Sequence, residues 1–121
     1  MSFLYVALGS AAGGALRYLM GTIIPAAHGF PLATCTINVI GSFLIGLMSG
    51  LLARTAGGPV SEIVRLVLVV GFCGGFTTFS TFSNETFRLM EASNYLTAFV
   101  YVFLSVLSGL LAVFLGYLIS R

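Results

Sequence analysis

Four apolar stretches, each long enough to cross a membrane, occupy nearly the whole chain. About 20 apolar residues in a row span the hydrocarbon core of a bilayer as a helix. The first stretch covers residues 3–24 and stops at Pro25. The second covers 32–52 and stops at Arg54 and the turn Gly57-Gly58-Pro59. The third covers 62–90, and the fourth covers 95–119, just before Arg121. The only histidine, His28, lies in the first loop among the breakers Pro25, Gly29 and Pro31. The pattern predicts an all-α membrane protein, with residues 1–121 forming a single four-helix transmembrane domain. The N-terminus, Met-Ser-Phe-Leu, lacks the basic region of a signal peptide and is expected to be retained as the first span.

Composition agrees with this and removes several function classes. Only 7% of the 121 residues are charged, and mean hydropathy is +1.12. A soluble domain carries about 25% charged residues, so this chain cannot cover a water-facing surface. The cations are Arg17, Arg54, Arg65, Arg88 and Arg121; the anions are Glu62, Glu85 and Glu91. A net charge of +2 with no basic cluster excludes nucleic acid as a partner. There is no aspartate and no nucleophile–base pairing, so an enzyme is not expected. Cys35 and Cys73 form no CxxC motif and have no histidine nearby. They are read as small buried hydrophobes rather than as a disulfide or metal ligands.

The third stretch is too long. About 29 residues make a straight helix of roughly 43 Å, against a hydrocarbon core of about 30 Å. Gly74-Gly75 lies near its middle, and each glycine weakens a helix interior by about 1 kcal/mol relative to alanine. A break near Gly74-Gly75 is therefore expected. Such a break survives in a membrane only where protein or water satisfies the freed backbone groups, and those groups can coordinate ions.

Four short helices are too few to enclose a polar pathway by themselves. Small-xxx-small pairs at Gly9/Gly13, Gly46/Gly50 and Gly71/Gly75 predict close helix contacts and an oligomer. With four spans both termini lie on one side, together with Arg54, Arg65 and Arg121; Arg88 and Arg17 lie toward the other. This bias is too small to fix one orientation. Insertion in both senses, giving an antiparallel dual-topology homodimer, and a single fixed topology are both compatible with it.

Polar residues recur at helical spacing inside the apolar spans. Thr34, Asn38 and Ser42 form one stripe on the second span. Asn38 is the costliest of these to bury, either as an interhelical hydrogen-bonding residue or as a donor lining a path. Tyr101, Ser105 and Ser108 share a face of the fourth span, where serines can also bond back to their own helix. Beyond Gly74-Gly75 the sequence Phe76-Thr77-Thr78-Phe79-Ser80-Thr81-Phe82-Ser83 interleaves rings with hydroxyls. Phe79 and Phe82 share a face, and the electropositive edge of a phenyl ring can meet an anion. Hydroxyls and ring edges together attract a small anion weakly enough to release it. Glu85 lies just beyond, as a gate or as an ion-pair partner for Arg17 or Arg88. Arg17 itself lies within snorkelling reach of the membrane interface.

Gly-Phe-Cys-Gly-Gly-Phe-Thr-Thr-Phe-Ser-Thr-Phe-Ser at 71–83 resembles the motif of the CrcB/Fluc fluoride channels. Gly-Gly-Ala-Leu-Arg at 13–17 and Asn-Val-Ile-Gly at 38–41 extend the likeness over the whole chain. The resemblance implies a dual-topology homodimer in a bacterial inner or plasma membrane, with two pores that export fluoride passively. It implies that Phe79, Phe82 and Asn38 line the pore, with Ser80, Thr81, Tyr101 and Ser108 on its polar track; Thr34, on the same helical stripe as Asn38, is expected in the same pathway. It implies that the carbonyls of Gly74 and Thr77 from two subunits bind a structural sodium ion. Arg17 and Glu85 match the family's charged positions near the pore. The rival reading is a small proton-coupled multidrug transporter, also of four spans. That chemistry calls for a membrane-embedded carboxylate as proton carrier, whereas the first span offers Arg17.

Overall fold

The structure is a computed structural model describing residues 1–55 and 57–121. Its described residues are helical apart from turns and one isolated β-bridge between Ala27 and Phe30. Four helical segments are long and apolar enough to cross a membrane. The first, α1, is Ser2–Ile23, and the second, α2, is Leu32–Ala53. The third segment is composite. It begins as α3 (Pro59–Val64), with proline at the first helical position, where its missing N–H is not needed. It continues through a π-helical stretch, Arg65–Cys73, into the single turn α4, Gly74–Phe76. After a break it resumes as α5, Phe79–Glu91. The fourth, α6, is Tyr95–Ser120.

Two glycine-lined seams hold these helices together. Along the first, α1 packs on residues 65–76. A Cβ at Gly9 or Gly13 would run into backbone atoms of Val67, Phe72 or Phe76. Along the second, α2 packs on α6, where Gly46 and Gly116 meet the opposing backbone in the same way. The small-residue spacing thus marks real contacts, as close backbone approach in a membrane requires. The hydroxyl of Ser10 adds a 3.3 Å hydrogen bond to the Gly71 carbonyl across the first seam.

The break falls later than the sequence suggested. Gly74 is still helical, with φ −63° and ψ −38°. The chain becomes extended at Thr77 (φ −77°, ψ 157°) and Thr78 (φ −150°, ψ 116°). Gly75 is small for another reason: a Cβ there would overlap the backbone of Ser10. Two adjacent threonines, whose branched side chains favour extended backbone, take the break instead. The π-helical winding upstream was not anticipated from the sequence.

Candidate functional site

The break is held open by Asn38. Its side-chain amide donates to the Thr78 carbonyl at 3.1 Å, and its Oδ1 accepts from the Thr78 N–H at 2.8 Å. In a continuous helix that N–H would bond the Gly74 carbonyl, four residues back. The asparagine therefore replaces one rung of the helix and frees the Gly74 oxygen. Thr77 closes the end of α4 with both its N–H and its hydroxyl on the Cys73 carbonyl, at 2.9 and 2.8 Å. Thr78 opens α5: its Oγ1 accepts from the Thr81 N–H at 3.2 Å, an N-cap that satisfies one orphan donor. The positive end of the α5 dipole thus faces the break from one side.

A row of rings leads away from this point. The centroids of Phe79 and Phe82 are 5.9 Å apart, those of Phe82 and Tyr101 5.1 Å, and those of Tyr101 and Phe30 5.3 Å. Phe79 and Phe82, with Asn38, Ser42, Thr78 and Ser105, line an open cavity of about 280 Å³. Phe79 is 79% exposed on the single chain, and Ser80 and Thr81 beside it are exposed as well.

On the other side of Thr78, Glu85 is held by hydroxyls from two other helices. Thr34 of α2 donates to its Oε1 at 2.8 Å, and Tyr101 of α6 donates to its Oε2 at 2.7 Å. Of the two roles expected of Glu85, a gate or an ion-pair partner for Arg17 or Arg88, the pair is not formed among the described residues. Among the described residues the only side-chain ion pair is Arg65–Glu62, at 2.8 Å on the exposed end of the third segment. Glu85 sits at a helix crossing where two hydroxyls reach it, and both carboxylate oxygens are used. Arg17 does not snorkel outward either. Its guanidinium donates to the Thr77 carbonyl at 3.4 Å, at the break. Arg17, Thr34, Thr78, Thr81 and Glu85 share a second cavity of about 440 Å³.

The structure therefore brings Asn38, Thr34, Thr77, Thr81, Phe79, Phe82, Tyr101, Glu85 and Arg17 around one broken helix. Ser80 joins through a 3.4 Å contact between its hydroxyl and that of Thr78. Ser108 stands apart: its hydroxyl bonds the Leu104 carbonyl of its own helix, as serines in apolar helices often do. Two participants were not singled out from the sequence. Thr78 was hidden within a run of hydroxyl residues, and its cap position shows only once α5 has a start. Phe30 lay in a loop with no helical periodicity to flag it.

The chain matches known proteins along almost its whole length. Residues 4–117 fit the family described as CrcB-like protein, Camphor Resistance (CrcB). A protein of Pyrococcus furiosus named fluoride-specific ion channel FluC is 42% identical over 116 residues, covering 96% of this chain and 93% of that one. A Geobacter metallireducens protein of the same name is 44% identical over 123 residues, covering 100% and 98%. One of Flavobacterium psychrophilum is 42% identical over 119 residues, covering 97% and 94%. With its four membrane-length helices and a family match over most of its length, the chain is a multi-pass membrane protein belonging to the CrcB family.

Proposed function

We propose that this protein is a fluoride channel that lets the ion leave the cell passively. The observation that carries this is the clamped break beside the Phe79–Phe82 pair. Hydroxyls, amide donors and ring edges there gather partial positive charge without a cation in the ring-lined cavity. A small anion is attracted by such groups but not trapped, which conduction requires. In the second cavity the Arg17 guanidinium offsets the charge of the Glu85 carboxylate toward an entering anion. Thr34 and Tyr101, through their hydroxyls on Glu85, form a hydrogen-bonded gate or relay on the same route. The pathway comprises Asn38, Phe79, Phe82, Ser80, Thr81, Tyr101 and Thr34, without Ser108, whose hydroxyl is bonded to its own helix.

The working unit is a homodimer. Phe79 and the exposed hydroxyls of α5 need a covering partner inside a membrane, and a second copy supplies the same surface in return. An antiparallel, dual-topology arrangement fits the weak bias of the arginines. The freed Gly74 carbonyl and the Thr77 carbonyl are hard oxygen donors suited to sodium, with Arg17 competing for the second. No cluster of three or more His, Cys, Asp or Glu side chains among the described residues offers an alternative metal site. One chain provides two carbonyls, so the ion would lie between two copies, neutralising converging oxygens and stabilising the assembly. A proton-coupled transporter is less well supported, because the one deeply placed carboxylate, Glu85, has both oxygens engaged by hydroxyls.

The test is efflux from proteoliposomes containing only this protein. Fluoride should leave without a proton gradient, and Phe79→Ile or Phe82→Ile should suppress the flux in protein that still assembles. Full flux in both variants would return these rings to a packing role.

A further inference from the structure

We propose that Phe30, in the loop before α2, is a positioning residue for ion passage: it sets the Tyr101 ring and, through it, the Glu85 carboxylate. The inference rests on the fluoride-channel reading above.

The loop is built to deliver this ring. Ala27 and Phe30 exchange two backbone hydrogen bonds, Ala27 N–H to Phe30 O at 3.2 Å and Phe30 N–H to Ala27 O at 2.9 Å. The two residues between them have positive φ, 52° at His28 and 81° at Gly29, which is the requirement of a tight two-residue reversal. The Phe30 carbonyl then accepts from Leu32 N–H at 2.8 Å, joining the turn to the start of α2. Phe30 is thereby fixed by its backbone on both sides.

Its ring meets Tyr101 edge to face, at 5.3 Å and an interplanar angle of 87°. Phe82 holds the Tyr101 ring from another direction at 5.1 Å. Tyr101 has 0% exposure, and its hydroxyl reaches Glu85 Oε2 at 2.7 Å. A tyrosine has two side-chain torsions, so a ring held by two aromatic neighbours keeps its hydroxyl aimed at one point. Remove Phe30 and one of the two walls is gone. The Tyr101 hydroxyl then samples other directions, and Glu85 loses a fixed donor.

The experiment measures fluoride efflux from proteoliposomes for Phe30→Leu, Phe30→Val and Phe30→Ala. Each is made in the wild-type and the Tyr101→Phe backgrounds. Flux should fall least for Phe30→Leu, which keeps the bulk but not the ring, and progressively further for Phe30→Val and Phe30→Ala. The last should lose roughly threefold to tenfold, the scale of one aromatic pair. In the Tyr101→Phe background, where there is no hydroxyl to aim, the series should be flat. If Phe30→Ala does not fold, Phe30→Val carries the comparison. Wild-type flux in both small variants would overturn the proposal. Equal fold losses in the two backgrounds would also overturn it, since Phe30 would then act on general packing rather than through the hydroxyl. Absence of fluoride flux from the unmodified protein would overturn the channel reading itself.

Discussion

Replacing Asn38 by leucine should destabilise this protein strongly, because it removes both bonds that hold the break. Leucine has the branched shape of asparagine but is larger, so no cavity forms and the loss comes from the hydrogen bonds with some overpacking added. Two bonds disappear, both to the backbone of Thr78, which is 7% exposed. A buried backbone group left without its partner costs about 1–3 kcal/mol. The two together give a loss of about 2–6 kcal/mol. The Thr78 N–H has an escape, since it could return to the Gly74 carbonyl if the break closed into helix. That would rescue part of the stability while abolishing the break, so flux should fall even where the fold survives. The measurement is unfolding in mixed micelles by titration with a denaturing detergent, followed by helicity, with fluoride flux measured alongside. Ser42→Ala, one turn further along the same face, should stay within about 0.5 kcal/mol of wild type. Asn38→Leu with unchanged stability and unchanged flux would refute the idea that this amide holds the break.

Thr78→Ala should cost about 1 kcal/mol by removing the N-cap of α5, and Thr78→Ser should restore most of it in the same unfolding assay. Gly13→Ala should destabilise the protein by about 1–3 kcal/mol, because the added methyl meets the backbone of Phe72 and Phe76. Gly21→Ala, on the same helix with nothing within 4 Å of the added carbon, should be neutral or slightly stabilising. Equal effects of the two glycine changes would contradict the tight seam between α1 and the third segment.

The spans were legible because the bilayer imposes a length and an apolar composition on each of them. The packing seams were legible as well, since the pairs Gly9/Gly13, Gly46/Gly50 and Gly71/Gly75 together point to close helix approach, though each spacing alone is common in apolar helices. The break was legible in kind but not in place. Adjacent glycines weaken a helix and invite a bend, yet here Gly75 serves contact with Ser10, and Thr77–Thr78 take the extended backbone. Asn38 stood out as an expensive buried amide. Its partner could not be read, because the bond joins residues 40 positions apart. The partners of Glu85 were hidden for a similar reason. Arg88 is its neighbour along the helix and suggested an ion pair, whereas the tertiary fold brings hydroxyls from α2 and α6 to both oxygens. The π-helical stretch Arg65–Cys73 left no mark in residue type, and Phe30 acquires meaning only when the turn at His28–Gly29 puts its ring on Tyr101.

The most direct test of the central claim is ion flux through the purified, reconstituted protein, comparing fluoride with chloride under the same gradient. The account predicts rapid fluoride efflux, negligible chloride efflux and no need for a proton gradient. Equal chloride flux, or fluoride movement that stops when the proton gradient is removed, would contradict it.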